Sequence, residues 1–214
     1  MKDKKFPILI DEEGGRVSRL SNFIDNSIYD QRYFANIYKS NKLIGTKLYR
    51  TYINALSKIL QNTGININTS PVLDLMKINT HKLIGNRSYS NNPNIVNELG
   101  KLCVNFYKAN KIATVIKHIP GHGGANLDSH FKLPKINDSV TSLKKKDFKC
   151  FKNISSHFAM TAHILYTKID KRNNVTHSEI AIKKIIRKEI GFKGILISDD
   201  ISMKALKYNL IKNA

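Results

Sequence analysis

Short apolar runs alternate with amphipathic stretches along all 214 residues. Residues 7–10 are apolar and are closed by Gly14 and Gly15, which predicts a strand. Residues 42–62 carry apolar side chains at helical spacing, and Gly64 marks a stop. Residues 65–75 predict a second strand region, ending in Asp74. Asn91 or Asn92 is suited to cap a helix that runs to about Asn110, with Val96, Leu99, Leu102, Cys103 and Phe106 facing inward. Residues 112–116 predict a third strand, followed by a long loop over 120–134. The pattern then predicts a helix over 139–154, a fourth strand over 158–162, a helix over 178–189 ended by Gly191, and a fifth strand over 194–198.

This strand–helix alternation predicts an α/β fold, with a parallel sheet covered by helices. Asp11, Asp74, His118, His163 and Asp199 each fall just after a predicted strand. In a β/α barrel those strand ends form the active-site face. One such residue is commonly a turn former or a helix cap. Five of them are hard to explain as surface decoration. No internal repeat or linker interrupts the pattern, so residues 1–214 are expected to form a single domain.

Composition adds bounds. A hydrophobic content of 41% is enough for a buried core. The apolar run near the start is too short for a signal-peptide core and is followed by acids, so a cytoplasmic protein is expected. Cys103 and Cys150 form no metal or disulfide motif, and reduced buried thiols are expected. A net charge of +20 attracts polyanions, which raises nucleic acid as a remote alternative partner. The basic residues are mostly Lys and are scattered, however, with only 144–146 forming a dense run. No specific nucleic-acid binding and no membrane span are expected.

The segment Lys117-His118-Ile119-Pro120-Gly121-His122-Gly123, continuing to Asp128-Ser129-His130, concentrates chemistry. Asp128 and His130 lie two apart, close enough to pair. A carboxylate on one imidazole nitrogen fixes the tautomer and makes the other a proton shuttle. From the residues alone, a zinc site built from His118, His122, Asp128 and His130 is an equal alternative. A second segment, residues 194–203, delivers Asp199 and Asp200 from an apolar strand. One carboxylate there can attack an anomeric carbon while its neighbour caps. A third, residues 10–19, carries Asp11 and Arg19 in a setting that also reads as an ordinary polar turn.

Together these segments resemble the bacterial β-N-acetylglucosaminidases of glycoside hydrolase family 3, the NagZ type. The matching stretches are IDEEGGRVSRL (10–20), SPVLDL (70–75), IGNRSYS (84–90), KHIPGHGGANLDSHFKLP (117–134), MTAHILY (160–166) and GFKGILISDDISM (191–203). The resemblance implies a TIM (β/α)8-barrel type domain that is incomplete here, covering about strands 3 to 7 and truncated at both ends. It implies Asp199 as nucleophile, His130 as general acid/base and Asp128 as the residue orienting His130. It implies that Asp11, Arg19, Arg87, Lys117 and His118 hold the sugar, with no metal or cofactor. The expected activity is retaining removal of terminal N-acetylglucosamine from 1,6-anhydro-N-acetylmuramic acid muropeptides in cell-wall recycling. Self-association that covers the open barrel edges is also expected. The alternative expectation is an inactive fragment that at most still binds sugar. One local departure is residues 173–178, where the family usually carries a Pro-Ala segment.

Overall fold

The structure is a computed structural model that describes residues 6–77, 84–124, 133–203 and 206. Its main sheet has five parallel strands, in the order β1 (Leu9–Ile10), β2 (Ile67–Asn68), β3 (Ala113–Ile119), β5 (Phe158–Thr161) and β7 (Ile195–Ser198). A small parallel pair, β4 (Lys135–Ile136) with β6 (Leu165–Tyr166), stands beside it. The five expected strands are all present, each joined to the next through intervening helical chain, as parallel pairing requires. This is the α/β architecture read from the sequence.

Helix α1 (Gln31–Ser40) was not among the expected elements, although Gln31, Phe34, Ala35 and Tyr38 are buried at helical spacing. It forms because Asp30 caps it, accepting from the Tyr33 N–H, and because Phe34 stacks on Tyr49 with ring centroids 4.5 Å apart. Asn41 ends α1 and also caps α2 (Lys42–Asn62), accepting from the Ile44 N–H. Tyr49, Ile53, Leu56 and Leu60 form the buried stripe of α2 at helical spacing. Helix α3 (Pro93–Ala109) is capped by Asn92 and opens on Pro93, which needs no N–H there. Val96, Leu99, Cys103 and Phe106 are buried as expected, and Leu102 is partly buried.

Three elements differ from the expectation. The second strand is short because Pro71 has no N–H to extend the ladder, although Leu73 N–H still reaches Lys117 C=O. The helix expected over 139–154 divides into α4 (Val140–Lys145) and a 3-10 turn, Phe148–Phe151. The break lies where the buried Asp147 meets Lys77 Nζ at 3.0 Å. The helix α5 (Ala181–Ile190) winds in the wide π form and stops at Gly191, whose φ of 81° favours glycine.

The core lies between the sheet and helices α2, α3 and α5, and β3 is its central, almost wholly buried strand. Leu9 of β1 and Ile195 of β7, on the strands that end the sheet, are exposed. Among the described residues, no helix is long and apolar enough to cross a membrane.

Candidate active site

All five residues predicted at strand ends are found at one end of the sheet, His118 inside the last residues of β3 rather than beyond it, with Asp11, His118 and Asp199 lining a common cleft of about 350 Å³. The β1 end supplies Asp11, Glu12 and Glu13, whose roles diverge. Glu12 is wholly buried and takes N–H groups from Arg19 and Leu20 and the Asn26 amide, so it folds the 12–26 loop. Asp11 faces the cleft, where it accepts from Thr69 Oγ1 and from Lys117 Nζ at 3.1 Å, and Arg19 lies 3.8 Å away at the exposed rim. Burial would raise the Asp11 pKa, but Lys117 and the Thr69 hydrogen bond bring it below the ordinary carboxylate range.

Glu13 was legible only as part of a polar turn, yet it is the hub of the cleft floor. Arg87 Nε and Nη2 donate to its two oxygens, both at 2.8 Å, in a bidentate pair. Lys117 Nζ approaches it at 2.6 Å. Burial pushes the Glu13 pKa up, and the two cations, Lys117 more than Arg87, reverse this and bring it down to about 2. The three donors of Lys117 are thus spent on Asp11, Thr69 and Glu13. A buried lysine with every proton matched holds acceptors in register more than it binds a ligand directly.

Asp74, after β2, is wholly buried. Its Oδ2 lies 2.6 Å from His118 Nδ1, and its Oδ1 accepts the backbone N–H groups of His118 and His122. Gly123 packs against the Leu75 carbonyl so closely that a Cβ could not fit. That contact fixes the start of the 121–124 loop. His122 forms part of the cleft wall while its buried Nε2 has no hydrogen-bond partner among the described residues. Burial lowers its pKa to about 4, against the attraction of Asp74.

The β5 and β7 ends complete the cleft. His163 Nδ1 meets Thr176 Oγ1 at 2.7 Å, and its Nε2 donates to the Asp200 carbonyl at 3.1 Å; burial lowers its pKa. Thr176 lies in the stretch that departs from the family pattern, so that stretch supports a strand-end histidine. Asp199 Oδ1 accepts the Asp200 N–H at 2.8 Å. Its Oδ2 lies 3.9 Å from His118 Nε2, beyond hydrogen-bond length but within ion-pair range. Asp200 also lines the cleft, and its Oδ1 accepts the Ser202 N–H at 2.8 Å.

The cleft therefore collects Asp11, Arg19, Arg87, Lys117, His118 and Asp199. Asp128 and His130 lie outside the described residues. Among the described residues no three His, Cys, Asp or Glu side chains converge to hold a metal ion. The sequence did not single out Thr69, or the apolar wall of Ile84, Met160 and Met203. The acidic doublet after Asp11 was the available signal for Glu13. Nothing local marked Thr69.

Comparison with known proteins gives a consistent picture. Residues 3–212 match the glycosyl hydrolase family 3 N terminal domain. A beta-hexosaminidase of Neisseria gonorrhoeae (strain NCCP11945) is 34% identical over 203 residues, covering 92% of this chain and 55% of that protein. Beta-hexosaminidase A of Pseudoalteromonas piscicida is 30% identical over 215 residues, covering 93% of this chain and 35% of that protein. Among solved structures, NagZ from Neisseria gonorrhoeae in complex with N-trifluoroacetyl-D-glucosamine superposes with a TM-score of 0.82 at 31% identity, covering 93% of this chain and 58% of that one. The chain thus spans about half the length, or less, of the curated relatives it matches.

Proposed function

Because this chain belongs to glycosyl hydrolase family 3, we propose that it is a retaining exo-β-N-acetylglucosaminidase with Asp199 as its nucleophile. The observation that carries the reading is the setting of Asp199. It ends β7 inside a cleft of matched charges, with one oxygen fixed by a backbone N–H and the other directed to the side of His118 Nε2. A carboxylate nucleophile needs one oxygen held in place and the other left unoccupied toward the reacting carbon.

In the proposed reaction Asp199 attacks the anomeric carbon, and the bond to the leaving sugar breaks as that oxygen takes a proton. The result is a glycosyl ester on Asp199. Water, losing a proton to the same base, then attacks the anomeric carbon and releases Asp199, so two inversions give net retention. His130 supplies and recovers the proton in this scheme, and Asp128 orients it. Asp11 accepts sugar hydroxyls, while Arg19 and Arg87 donate to the sugar. His118 presents Nε2 to it. Lys117 works through Asp11 and Glu13, since its protons are committed there. The proposed substrate is terminal β-linked N-acetylglucosamine on a 1,6-anhydro-N-acetylmuramic acid muropeptide, met in the cytoplasm during cell-wall recycling. The name of the Neisseria relatives supports the hexosaminidase part of this reading.

The test is hydrolysis of a chromogenic β-N-acetylglucosaminide and of the matching β-glucoside, with proton NMR following the anomer first released. The reading expects turnover of the N-acetyl sugar, little of the glucoside, and a β-anomer product. An α-anomer product, or no turnover by folded protein, contradicts it.

A further inference from the structure

His118 stands between two carboxylates. Asp74 Oδ2 lies 2.6 Å from its Nδ1, and Asp199 Oδ2 lies 3.9 Å from its Nε2. Asp74 is wholly buried and lines no part of the cleft, so no sugar can touch it. A buried carboxylate is expensive unless donors saturate it. Here the donors are the His118 ring and the N–H groups of His118 and His122, four residues apart. Burial would raise the Asp74 pKa, and His118 and then His122 bring it below the ordinary range. An ionised carboxylate can only accept, so His118 Nδ1 carries a proton in either charge state of the ring. Nε2 is then the ring atom left to face the cleft, 3.9 Å from Asp199 Oδ2.

We propose that Asp74 is a positioning residue for the hydrolysis, locking His118 with Nδ1 protonated and Nε2 presented to the cleft beside Asp199. This rests on reading Asp199 as the nucleophile. Through the two backbone N–H groups, the same carboxylate also sets where the 118–122 segment enters the cleft. Asp74 therefore acts on the reacting carboxylate at one remove, as the orienting partner of a site histidine does elsewhere.

Asp74→Asn separates positioning from packing. The two backbone N–H groups keep the side-chain oxygen at the Oδ1 place, which puts the NH₂ opposite His118 Nδ1. That nitrogen must then accept, and the neutral ring moves its hydrogen to Nε2. The expected kinetic result is a kcat lowered roughly 10–100-fold, the range for losing such an orienting partner, with KM moved far less. The expected spectroscopic result is an exchange of the two ring ¹⁵N signals, with His118 assigned by its loss in His118→Gln. A folded Asp74→Asn protein with unchanged kcat would overturn the proposal. So would a neutral wild-type His118 ring with its hydrogen on Nε2. If Asp74→Asn does not fold, the wild-type spectrum alone decides. If the wild type turns over no β-N-acetylglucosaminide, the functional reading fails while the spectrum still settles the Asp74–His118 lock.

Discussion

The two halves of the cleft are built differently. On the β1–β3 side every carboxylate has at least two hydrogen-bonding or ion-pair partners, and Asp11 keeps its Oδ2 toward the cleft for a ligand. Asp11 has Thr69 and Lys117, Glu13 has Arg87 and Lys117, and Asp74 has His118 and two backbone N–H groups. All three are held below the ordinary carboxylate range by those partners, against burial. On the β5–β7 side Asp199 accepts one backbone N–H and has no other hydrogen bond among the described residues. The first half is a rigid frame for a polar ligand, since matched buried charges resist rearrangement. The second half keeps a carboxylate oxygen open for chemistry. A carboxylate engaged by several donors makes a poor nucleophile, so the contrast fits the proposal that Asp199 reacts while Glu13 and Asp74 position.

The sharpest way to break that contrast is Asp199→Asn. Turnover is expected to fall roughly 10³–10⁶-fold, the scale for removing a covalent nucleophile, while the melting temperature stays near wild type. Glu13→Gln should do the opposite, harming the fold before the chemistry. It removes a buried carboxylate from beside Arg87 and Lys117, and a loss of about 3–5 kcal/mol in denaturant unfolding is expected. A loss under about 1 kcal/mol, the level of an exposed pair, would show that the floor is not the rigid frame described.

The pH dependence of stability follows from the same frame. Glu13 has a folded pKa of about 2, below its ordinary 4.5, so its contribution is complete above pH 4.5. That contribution is lost as pH falls from there through 2. It amounts to about 3 kcal/mol at one pKa unit per 1.36 kcal/mol. His122 has a folded pKa of about 4 against an ordinary 6.5. The unfolded chain therefore gains this proton first, and stability falls as pH drops from 6.5 to 4, again by about 3 kcal/mol. His122→Asn should flatten the curve in that upper window and leave the lower one intact. The smallest effect is expected for Asp200→Ala, next to the proposed nucleophile. It removes a hydrogen bond to the Ser202 N–H, costing about 1 kcal/mol or less with modest rate loss. A rate loss matching that of Asp199→Asn would mean that the wrong member of the pair was chosen.

How far the sequence could be read depended on the range of the interactions involved. The five strands and α2, α3 and α5 were legible because each carries its own periodicity and its own stop, such as Gly191. The strand-end residues were legible too, because a polar residue after an apolar run needs no distant partner to be noticed. Helix α1 was not read, although Phe34, Ala35 and Tyr38 have helical spacing, because it is only ten residues long and Tyr49, on which Phe34 stacks, lies in the next helix. The hub role of Glu13 was also hidden. It depends on Arg87 and Lys117, 74 and about a hundred residues away, and nothing within the Asp-Glu-Glu-Gly-Gly turn encodes them. Asp74 stood out as a strand end, but its pairing with His118 spans 44 residues and becomes visible only when β2 and β3 lie side by side.

The central claim is that Asp199 is the atom-bearing nucleophile of a retaining reaction. The most direct test is intact-mass and peptide mass spectrometry of the protein after incubation with a fluorinated N-acetylglucosaminyl fluoride, which slows release of a glycosyl ester. The account predicts a mass gain of one glycosyl unit, located on Asp199 and absent in Asp199→Asn. Label on another carboxylate, or steady turnover with product of inverted configuration and no adduct, would contradict it.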